Sequence, residues 1–240
     1  MTNSLEKQKI VVIGGSSGIG LAVAKAVAAE GAKLIVASRS ESKLEQAKAE
    51  IGGETETYQL NISSEESVKN FFEKVGTFNG LVITAFIGLS GTFMEVETAK
   101  ARQVFDNKFW GSYYAAKYGA AKLEKNGSII FFSGSAAEKP IAGISAIAAA
   151  NGAIESLARS LAVELGTIRV NVVSPGLVET PAYSGMPEEW RQGYFESVVN
   201  KLPVKRVGQP EDIAEAVIYL IKNKYTTGAI INVDGGNRMV

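Results

Sequence analysis

The sequence predicts an α/β fold of the Rossmann type: a doubly wound parallel sheet of about seven strands with helices on both faces. Short apolar, β-branched runs alternate with longer stretches of helical spacing along the chain. A glycine-rich turn follows the first run directly and opens the first helical stretch. A length of 240 residues with 46% hydrophobic content suffices for a full core, so we expect one domain over residues 1–240.

The strand predictions rest on apolar, β-branched runs that are bounded by turn residues. The runs are Ile10 to Ile13, Leu34 to Ala37, Leu81 to Ile83, Ser128 to Phe132, Arg169 to Val173 and Ala229 to Val233, and Thr57 to Leu60 is a further candidate. Because helical stretches separate the runs, each connection can serve as a crossover, and the sheet is expected to be parallel.

The helix predictions rest on Ala-, Leu- and Glu-rich stretches between the strands. These stretches are Leu21 to Glu30, Lys43 to Ile51, Glu66 to Val75, about Ala99 to Leu123, and Ile154 to Leu165. The segment 177–208 fits the alternation least well, because it carries three prolines and several aromatic residues. An aromatic insert near the carboxyl ends of the strands is where a substrate lid is expected in such a fold.

Composition narrows the classes of function. Acidic and basic residues number 25 each, without long runs of either sign, so nothing favours binding to nucleic acid or to an anionic membrane. The chain has no cysteine and no histidine, which excludes thiolate nucleophiles, imidazole bases and the usual zinc sites. The polar residues 1–9 are unlike a secretory signal, and glycines interrupt the longest uncharged stretch, 75–94. We expect a cytoplasmic protein whose partner is a small molecule, without a metal.

The glycine-rich turn predicts a dinucleotide site. It consists of Gly14, Gly15, Ser16, Ser17, Gly18, Ile19 and Gly20. Glycines permit a tight turn and let the backbone approach a pyrophosphate, while the helix amino terminus supplies unpaired N–H groups and a favourable dipole. The alternative is a turn that only joins a strand to a helix, which the surrounding βαβ order disfavours.

The spacing of this turn resembles the G-x-x-x-G-x-G turn of the short-chain dehydrogenase/reductase family. The segments 171–176 (NVVSPG) and 232–236 (NVDGG) are also similar to that family, so the resemblance covers almost the whole chain. It implies a nicotinamide dinucleotide as cofactor. It further implies cofactor contacts near the adenine at Asn61, along the cofactor at Ala85, and near the nicotinamide and its phosphate at Pro175, Gly176, Val178 and Thr180.

The end of the second strand indicates NADP(H) rather than NAD(H). Dehydrogenases selective for NAD usually place an Asp or Glu there to accept hydrogen bonds from the ribose. This chain has Ser38 followed by Arg39, and a hydroxyl and a guanidinium suit a 2′-phosphate that a carboxylate would repel. Ser40 and Lys43 could add to the same pocket. The alternative is that Arg39 is a solvated surface residue.

The resemblance also implies a catalytic set that this chain lacks. The family uses a tyrosine to pass a proton, a lysine four residues later, a serine that binds the carbonyl oxygen and an asparagine that anchors a water relay. Aligning residues 151–155 with the helix after the Y-x-x-x-K motif puts Ile147 and Asn151 at the tyrosine and lysine positions. Ile147 has no ionisable group, and neutral Asn151 retains only hydrogen bonding to a ribose.

Lys108 is the residue that we expect to compensate. It stands at the family's asparagine position, with Asn107 one residue earlier. Gly134 stands at the serine position, but Ser133 and Ser135 flank it, and a shift of the loop register would bring a hydroxyl to the site. If Lys108 points into the site, its ammonium can bind the ribose, polarise a carbonyl or hold a proton-donating water. The alternative is an ordinary surface lysine.

Three tyrosine and lysine positions complete the candidates. Tyr183, in the expected lid, is a further possible proton donor. Tyr113 and Lys117 match Y-x-x-x-K by spacing, but they precede the fifth strand on the long predicted helix. We therefore expect Tyr113 and Lys117 to pack at a helix or subunit face rather than to act in catalysis.

Two function hypotheses remain. The first is an NADP(H)-dependent oxidoreductase that acts on a small, apolar carbonyl or alcohol with a non-standard proton donor. The second is a catalytically inactive NADP(H)-binding sensor or scaffold, and fold alone cannot decide between them. The small residues between 146 and 158, beside the aromatic residues of the preceding helix, favour close helix pairing in a homodimer or homotetramer.

Overall fold

The computed structural model describes residues 5–240 and contains a seven-stranded parallel sheet. The strands are β1 Lys9–Ile13, β2 Lys33–Ser38, β3 Thr55–Gln59, β4 Phe78–Ile83, β5 Leu123–Phe132, β6 Arg169–Pro175 and β7 Ile230–Val233. Their order is β3-β2-β1-β4-β5-β6-β7, and every neighbouring pair is parallel. The predicted fold class is therefore confirmed, including the third strand.

Helices cover both faces of this sheet. They are α1 Gly18–Ala29, α2 Glu41–Ile51, α3 Glu65–Val75, α4 Thr98–Phe105, α5 Gly111–Ala120, α6 Ser145–Glu164, α7 Glu188–Val199 and α8 Pro210–Lys222. α1 and α8 pack on one face, where they bury Ile10 and Val12 of β1. α3, α5 and α6 pack on the other, against Val11 and Ile13. The inner strands β1, β2 and β4 are buried on both faces, which explains why their sequence runs are continuously apolar.

Local sequence sets several helix ends. Ser40 and Ser64 precede α2 and α3, and their hydroxyls accept hydrogen bonds from backbone N–H groups inside the first turn. Gly52 and Gly76 follow the same helices with φ of +69° and +70°, a left-handed backbone that other residues adopt at a cost. None of the helices between residues 5 and 240 is long and apolar enough to cross a bilayer.

The predicted long helix from about Ala99 to Leu123 is in part wrong. It is α4 and α5 joined by a π-helical turn at Asp106–Trp110, and it ends at Ala120 because β5 already begins at Leu123. The extra residue in the π-helical turn changes the register of the helix, so that consecutive side chains, Asn107 and Lys108, are both buried.

The sheet order changes direction between β1 and β4, because the chain crosses from β3 at one edge to β4 beside β1. The loops after these two strands leave in opposite directions and open a crevice at the carboxyl ends of the strands. A hydrogen bond of 2.8 Å from the N–H of Thr84 to the carbonyl of Ile13 holds the two strand ends together. The glycine-rich turn and Ala85 are thereby placed side by side.

Candidate active site

A cleft of about 940 Å³ occupies this crevice and collects almost all of the predicted site residues. They are Gly14, Ser16, Ser17, Gly18, Ile19, Gly20, Ser38, Arg39, Ala85, Lys108, Ser133, Ser135, Ile147, Asn151, Pro175, Gly176, Val178 and Thr180. Asn61 is the exception. It borders a smaller depression next to Arg39, and its side-chain oxygen accepts a hydrogen bond from the N–H of Ser63 at 3.2 Å.

The glycine-rich turn has the geometry that an anion site requires. Gly14 has a φ of +89°, and a Cβ there would lie 2.6 Å from Thr84 Oγ1. A Cβ on Gly20 would collide with the carbonyl oxygen of Gly14. Ser17 precedes α1 without a side-chain hydrogen bond to the helix, so the first N–H groups of this helix face the cleft uncapped. These residues fit a pyrophosphate at the amino terminus of α1.

The cleft continues past the glycine-rich turn to the end of β2. The hydroxyl oxygen of Ser38 is buried and has no hydrogen-bond partner among residues 5–240. Arg39 is exposed at the rim of the cleft. Ser40 and Lys43 also line the cleft, although Ser40 is engaged as the cap of α2. An unpaired buried hydroxyl and a guanidinium on consecutive residues of the same cleft fit a ribose that carries a phosphate.

Lys108 lies in the inner wall of the cleft and is 4% exposed. Its Nζ donates to the carbonyl oxygen of Ser133 at 3.4 Å and lies 5.5 Å from the ring centroid of Phe86. Burial lowers the pKa of Lys108 to about 8. The alternative interpretation, an ordinary surface lysine, is therefore wrong. A buried amine in a cleft, titrating close to neutral pH, is suited to proton transfer.

Two buried side-chain oxygens in the wall of the cleft, Asn107 Oδ1 and Asn151 Oδ1, have no hydrogen-bond partner within the described chain. Burial raises the pKa of Glu155, and hydrogen bonding to the neighbouring Ser133 hydroxyl opposes that rise. Buried polar groups are normally paired, so the two asparagine oxygens mark a place for a bound polar ligand or ordered water. The sequence analysis did not single out Glu155, because a glutamate within a helix is normally expected to be exposed to solvent.

The two replaced catalytic positions have separate structural roles. Ile147 packs with Val104 and Ala150, so an apolar cluster occupies the expected tyrosine position. The side-chain nitrogen of Asn151 donates to the carbonyl of Gly134 at 3.4 Å. A Cβ on Gly134 would lie 3.0 Å from that nitrogen, so the residues at the lysine and serine positions are fitted to one another.

Ser135 belongs to a network that the sequence did not predict. Asn237 Nδ2 donates to the Ser135 hydroxyl oxygen at 3.1 Å. Lys139 Nζ donates to Asn237 twice, to its backbone oxygen at 2.8 Å and to its side-chain oxygen at 3.1 Å. All three residues line the cleft. The position of Asn237 directly after the Gly235-Gly236 turn is the feature from which sequence reasoning could have found it.

The remaining tyrosine candidates differ in position. Tyr183 lines the cleft, and burial, followed by the neighbouring Tyr194, raises its pKa to about 12. A phenol of that pKa is a weak proton donor at neutral pH. Tyr113 and Lys117 are not part of the cleft. Lys117 pairs instead with Glu65 of α3 at 3.2 Å, as expected for a structural helix face.

The sheet is doubly wound and parallel, and a glycine-rich turn leads into the uncapped amino terminus of α1 where the strand order changes direction. These features define a Rossmann-type protein. The family model described as enoyl-(acyl carrier protein) reductase matches residues 13–238. Short-chain dehydrogenase/reductase ATR9 of Stachybotrys chlorohalonatus is 33% identical in an alignment of 248 positions that spans 97% of this chain and 98% of that protein. Carbonyl reductase family member 4 of Danio rerio is 31% identical in an alignment of 238 positions that spans 96% of this chain and 98% of that protein.

Solved structures agree with these relatives. A small-chain dehydrogenase in complex with NADPH shares 38% identity and a TM-score of 0.84 over 98% of this chain and 100% of that chain. A short-chain dehydrogenase/reductase from Brucella melitensis shares 29% identity and a TM-score of 0.91 over 97% of both chains. The chain belongs to the short-chain dehydrogenase/reductase family of oxidoreductases.

Proposed function

We propose that this protein is an NADP(H)-dependent oxidoreductase that acts on a small carbonyl or alcohol substrate with an apolar body, with Lys108 as the proton donor in place of the missing tyrosine. The observation that carries the proposal is the buried Lys108 amine in the wall of the cleft. The adjacent Asn107 also lines the cleft, and its buried side-chain oxygen has no partner among residues 5–240.

The cofactor assignment is supported at both ends of the glycine-rich turn. The uncapped amino terminus of α1 suits the pyrophosphate, and the unpaired Ser38 hydroxyl with Arg39 suits a 2′-phosphate. A related solved structure is described as a complex with NADPH. When bound, the cofactor supplies or accepts the hydride. Pro175, Gly176 and Thr180 line the part of the cleft where the nicotinamide half of the cofactor would lie.

We assign the transfer of the proton to the substrate to Lys108. In the reducing direction, its ammonium donates a hydrogen bond to the substrate carbonyl oxygen and passes the proton as that oxygen becomes negative. A pKa of about 8 leaves much of Lys108 protonated at neutral pH, yet makes it a stronger acid than an exposed lysine.

Apolar side chains share the cleft with this polar group. Phe86 lies 5.5 Å from the Lys108 amine, Ile141 and Ile147 also line the cleft, and Tyr183 and Tyr194 border it from segment 177–208. We assign that segment as the substrate lid, with α7 as its main element. Exclusion of water by these side chains strengthens the hydrogen bond from Lys108 to the substrate.

The second candidate function is an inactive NADP(H)-binding sensor or scaffold. It is favoured by Ile147, whose apolar packing fills the tyrosine position. Either function is compatible with a homodimer or homotetramer, for which we propose the outer faces of α5 and α6. Trp110, directly before α5, is 42% exposed despite its size, and a Cβ added to Gly152 of α6 would meet no other described part of the chain within 4 Å.

The experiment that tests the leading proposal is carbonyl reduction by the full chain with NADPH, measured for a panel of ketones and aldehydes. The variant Lys108→Met removes the amine and keeps the length of the side chain. The control is Lys117→Met, which removes an exposed amine outside the cleft. Loss of turnover only in Lys108→Met supports the proposal, and equal turnover in the two variants overturns it.

A further inference from the structure

The cleft has a one-sided charge that the cofactor does not explain. Among residues 5–240, those that line the cleft include five cations and no carboxylate, although the whole chain has 25 residues of each sign. The cations are Arg39, Lys43, Lys108, Lys139 and Lys201. Arg39 and Lys43 lie at the end of β2, where the 2′-phosphate is assigned. The other three lysines lie towards the opposite end, where the nicotinamide half of the cofactor carries no further phosphate.

Lys139 is held by two hydrogen bonds in a position that suits it to binding an anion. Two of its three N–H groups are donated to Asn237, at 2.8 and 3.1 Å, which fixes the ammonium and leaves one donor. No carboxylate of the described residues lies within ion-pair distance of it. The adjacent Glu138 approaches Arg238 instead, at 3.6 Å. The ammonium is therefore held in position without a neutralising partner.

The same hydrogen-bond network positions a second hydrogen-bond donor, the hydroxyl of Ser135. Ser135 Oγ accepts a hydrogen bond from Asn237 Nδ2, so its O–H remains available to donate. Ser135 and Asn237 are nearly buried, at 8% and 9% exposed, and both line the cleft with Lys139. One ammonium N–H and one hydroxyl, fixed through a shared asparagine, match the two oxygens of a carboxylate.

We infer that the substrate is an oxo or hydroxy acid whose carboxylate binds Lys139 and Ser135 while its carbonyl or alcohol oxygen binds Lys108. This inference rests on the proposed function and refines it, because it adds a charged end to the apolar substrate. A carboxylate at this end also offsets the positive charge of an oxidised nicotinamide beside the lysines.

The carbonyl-binding and carboxylate-binding groups meet the loop after β5 at different residues. Lys108 Nζ contacts the backbone oxygen of Ser133, and the carboxylate site begins at Ser135, beyond Gly134. Gly134 is extended, with φ of 166° and ψ of 154°, which separates the Cα atoms of the two serines by about 7 Å. This separation favours a substrate with a spacer between carbonyl and carboxylate over one in which the two groups are directly joined.

The test compares three probes on the full chain loaded with oxidised cofactor, so that binding is measured without turnover. The probes are levulinate, which has two methylene groups in this position, its neutral methyl ester, and pyruvate, which has none. Calorimetry is expected to show levulinate binding roughly 10- to 100-fold more tightly than its ester and than pyruvate, as for a charge-assisted hydrogen bond.

Matched variants assign the effect to the site. Lys139→Met is expected to abolish the preference for levulinate over the ester, and Lys139→Arg, which keeps the charge, to retain most of it. Lys125→Met, which removes an exposed amine at the other end of β5, is expected to change nothing. Thermal unfolding verifies that each variant is folded. Equal binding of levulinate and ester in the native chain, or a preference that survives Lys139→Met, overturns the inference.

The two proposals fail in different ways. If the ester binds and is reduced as well as levulinate, the oxidoreductase proposal stands and the carboxylate site is refuted. If levulinate is bound tightly through Lys139 but neither it nor any ketone is reduced with NADPH, the carboxylate site stands and the oxidoreductase proposal fails.

Discussion

The Nζ of Lys108 lies 3.4 Å from the carbonyl oxygen of Ser133, the residue that directly follows β5. Within residues 5–240 no carboxylate comes within ion-pair distance of this amine, and burial lowers its pKa to about 8. A charged group held in this way destabilises the fold, because its desolvation is not offset by a partner. Such arrangements concentrate at functional sites, where they are used in binding or chemistry.

The first prediction is a pH dependence of carbonyl reduction. If Lys108 is the proton donor, kcat/KM falls about tenfold per pH unit as pH rises above about 8, because the amine loses the proton that it must donate. Alcohol oxidation changes in the opposite direction, since it needs the neutral amine. Steady-state rates between about pH 6 and 10 measure this, and a profile that is flat through this range rules out Lys108 as the donor.

The second prediction concerns stability. Since the pKa of Lys108 is lower in the fold than its usual 10.5, the unfolded chain binds more protons between about pH 8 and 10.5, and stability rises with pH in that window. The penalty is fully present at lower pH. Lys108→Met is therefore expected to increase the free energy of unfolding at pH 7, by up to about 3 kcal/mol. Urea unfolding measures it, and a destabilised variant would contradict the prediction.

The third prediction concerns cofactor selectivity. Ser38→Asp places a carboxylate beside the assigned 2′-phosphate, so NADPH affinity is expected to fall by at least tenfold while NADH affinity is retained or rises. Arg39→Ala is expected to weaken NADPH alone, and Lys48→Ala, an exposed cation outside the cleft, neither cofactor. Fluorescence titration measures both affinities. Native binding of NADH tenfold tighter than NADPH would refute the assignment.

The features that the sequence predicted are local ones. The turn from Gly14 to Gly20 follows β1 and opens α1 within a few residues, so its context could be read directly. The role of Ser38 could be predicted for the same reason, because the end of a strand is recognised from the residues next to it. The contact of Asn237 with Ser135 spans 102 positions in the chain and depends on how β7 is placed beside β6. The π-helical turn at Lys108 depends on packing against α6 and could not be predicted from periodicity alone.

The fourth prediction concerns oligomeric state. The aromatic cluster of Phe109, Trp110, Tyr113 and Tyr114 is partly exposed on the outer face of the π-helical turn and α5. Trp110→Glu is expected to lower the molar mass measured by light scattering, because a charge cannot be buried there without a partner. Trp190→Glu on α7, where the ring is 78% exposed, is the control. Equal masses for both variants would contradict this interface.

The fifth prediction separates the two functions by restoring the family's residues. A Cβ on Gly134 would lie 3.0 Å from Asn151 Nδ2, and Ile147 is enclosed by an apolar cluster. Gly134→Ser alone is therefore expected to crowd Asn151 and to gain nothing. The triple variant Gly134→Ser, Ile147→Tyr, Asn151→Lys supplies the tyrosine, lysine and serine together, with a second cation beside Lys108.

The response of this triple variant depends on whether Lys108 already transfers the proton. If it does, the new tyrosine is redundant and the new lysine repels the Lys108 ammonium, so kcat/KM is expected to stay within about tenfold of the native value. If the native site is inactive, restored acid–base assistance raises the rate by about 10² to 10⁴, and adding Lys108→Met does not reduce it. The rates of the native chain, of the triple variant and of the triple variant with Lys108→Met are measured with NADPH and one ketone. They decide between an enzyme with a substituted proton donor and a cofactor-binding protein without turnover.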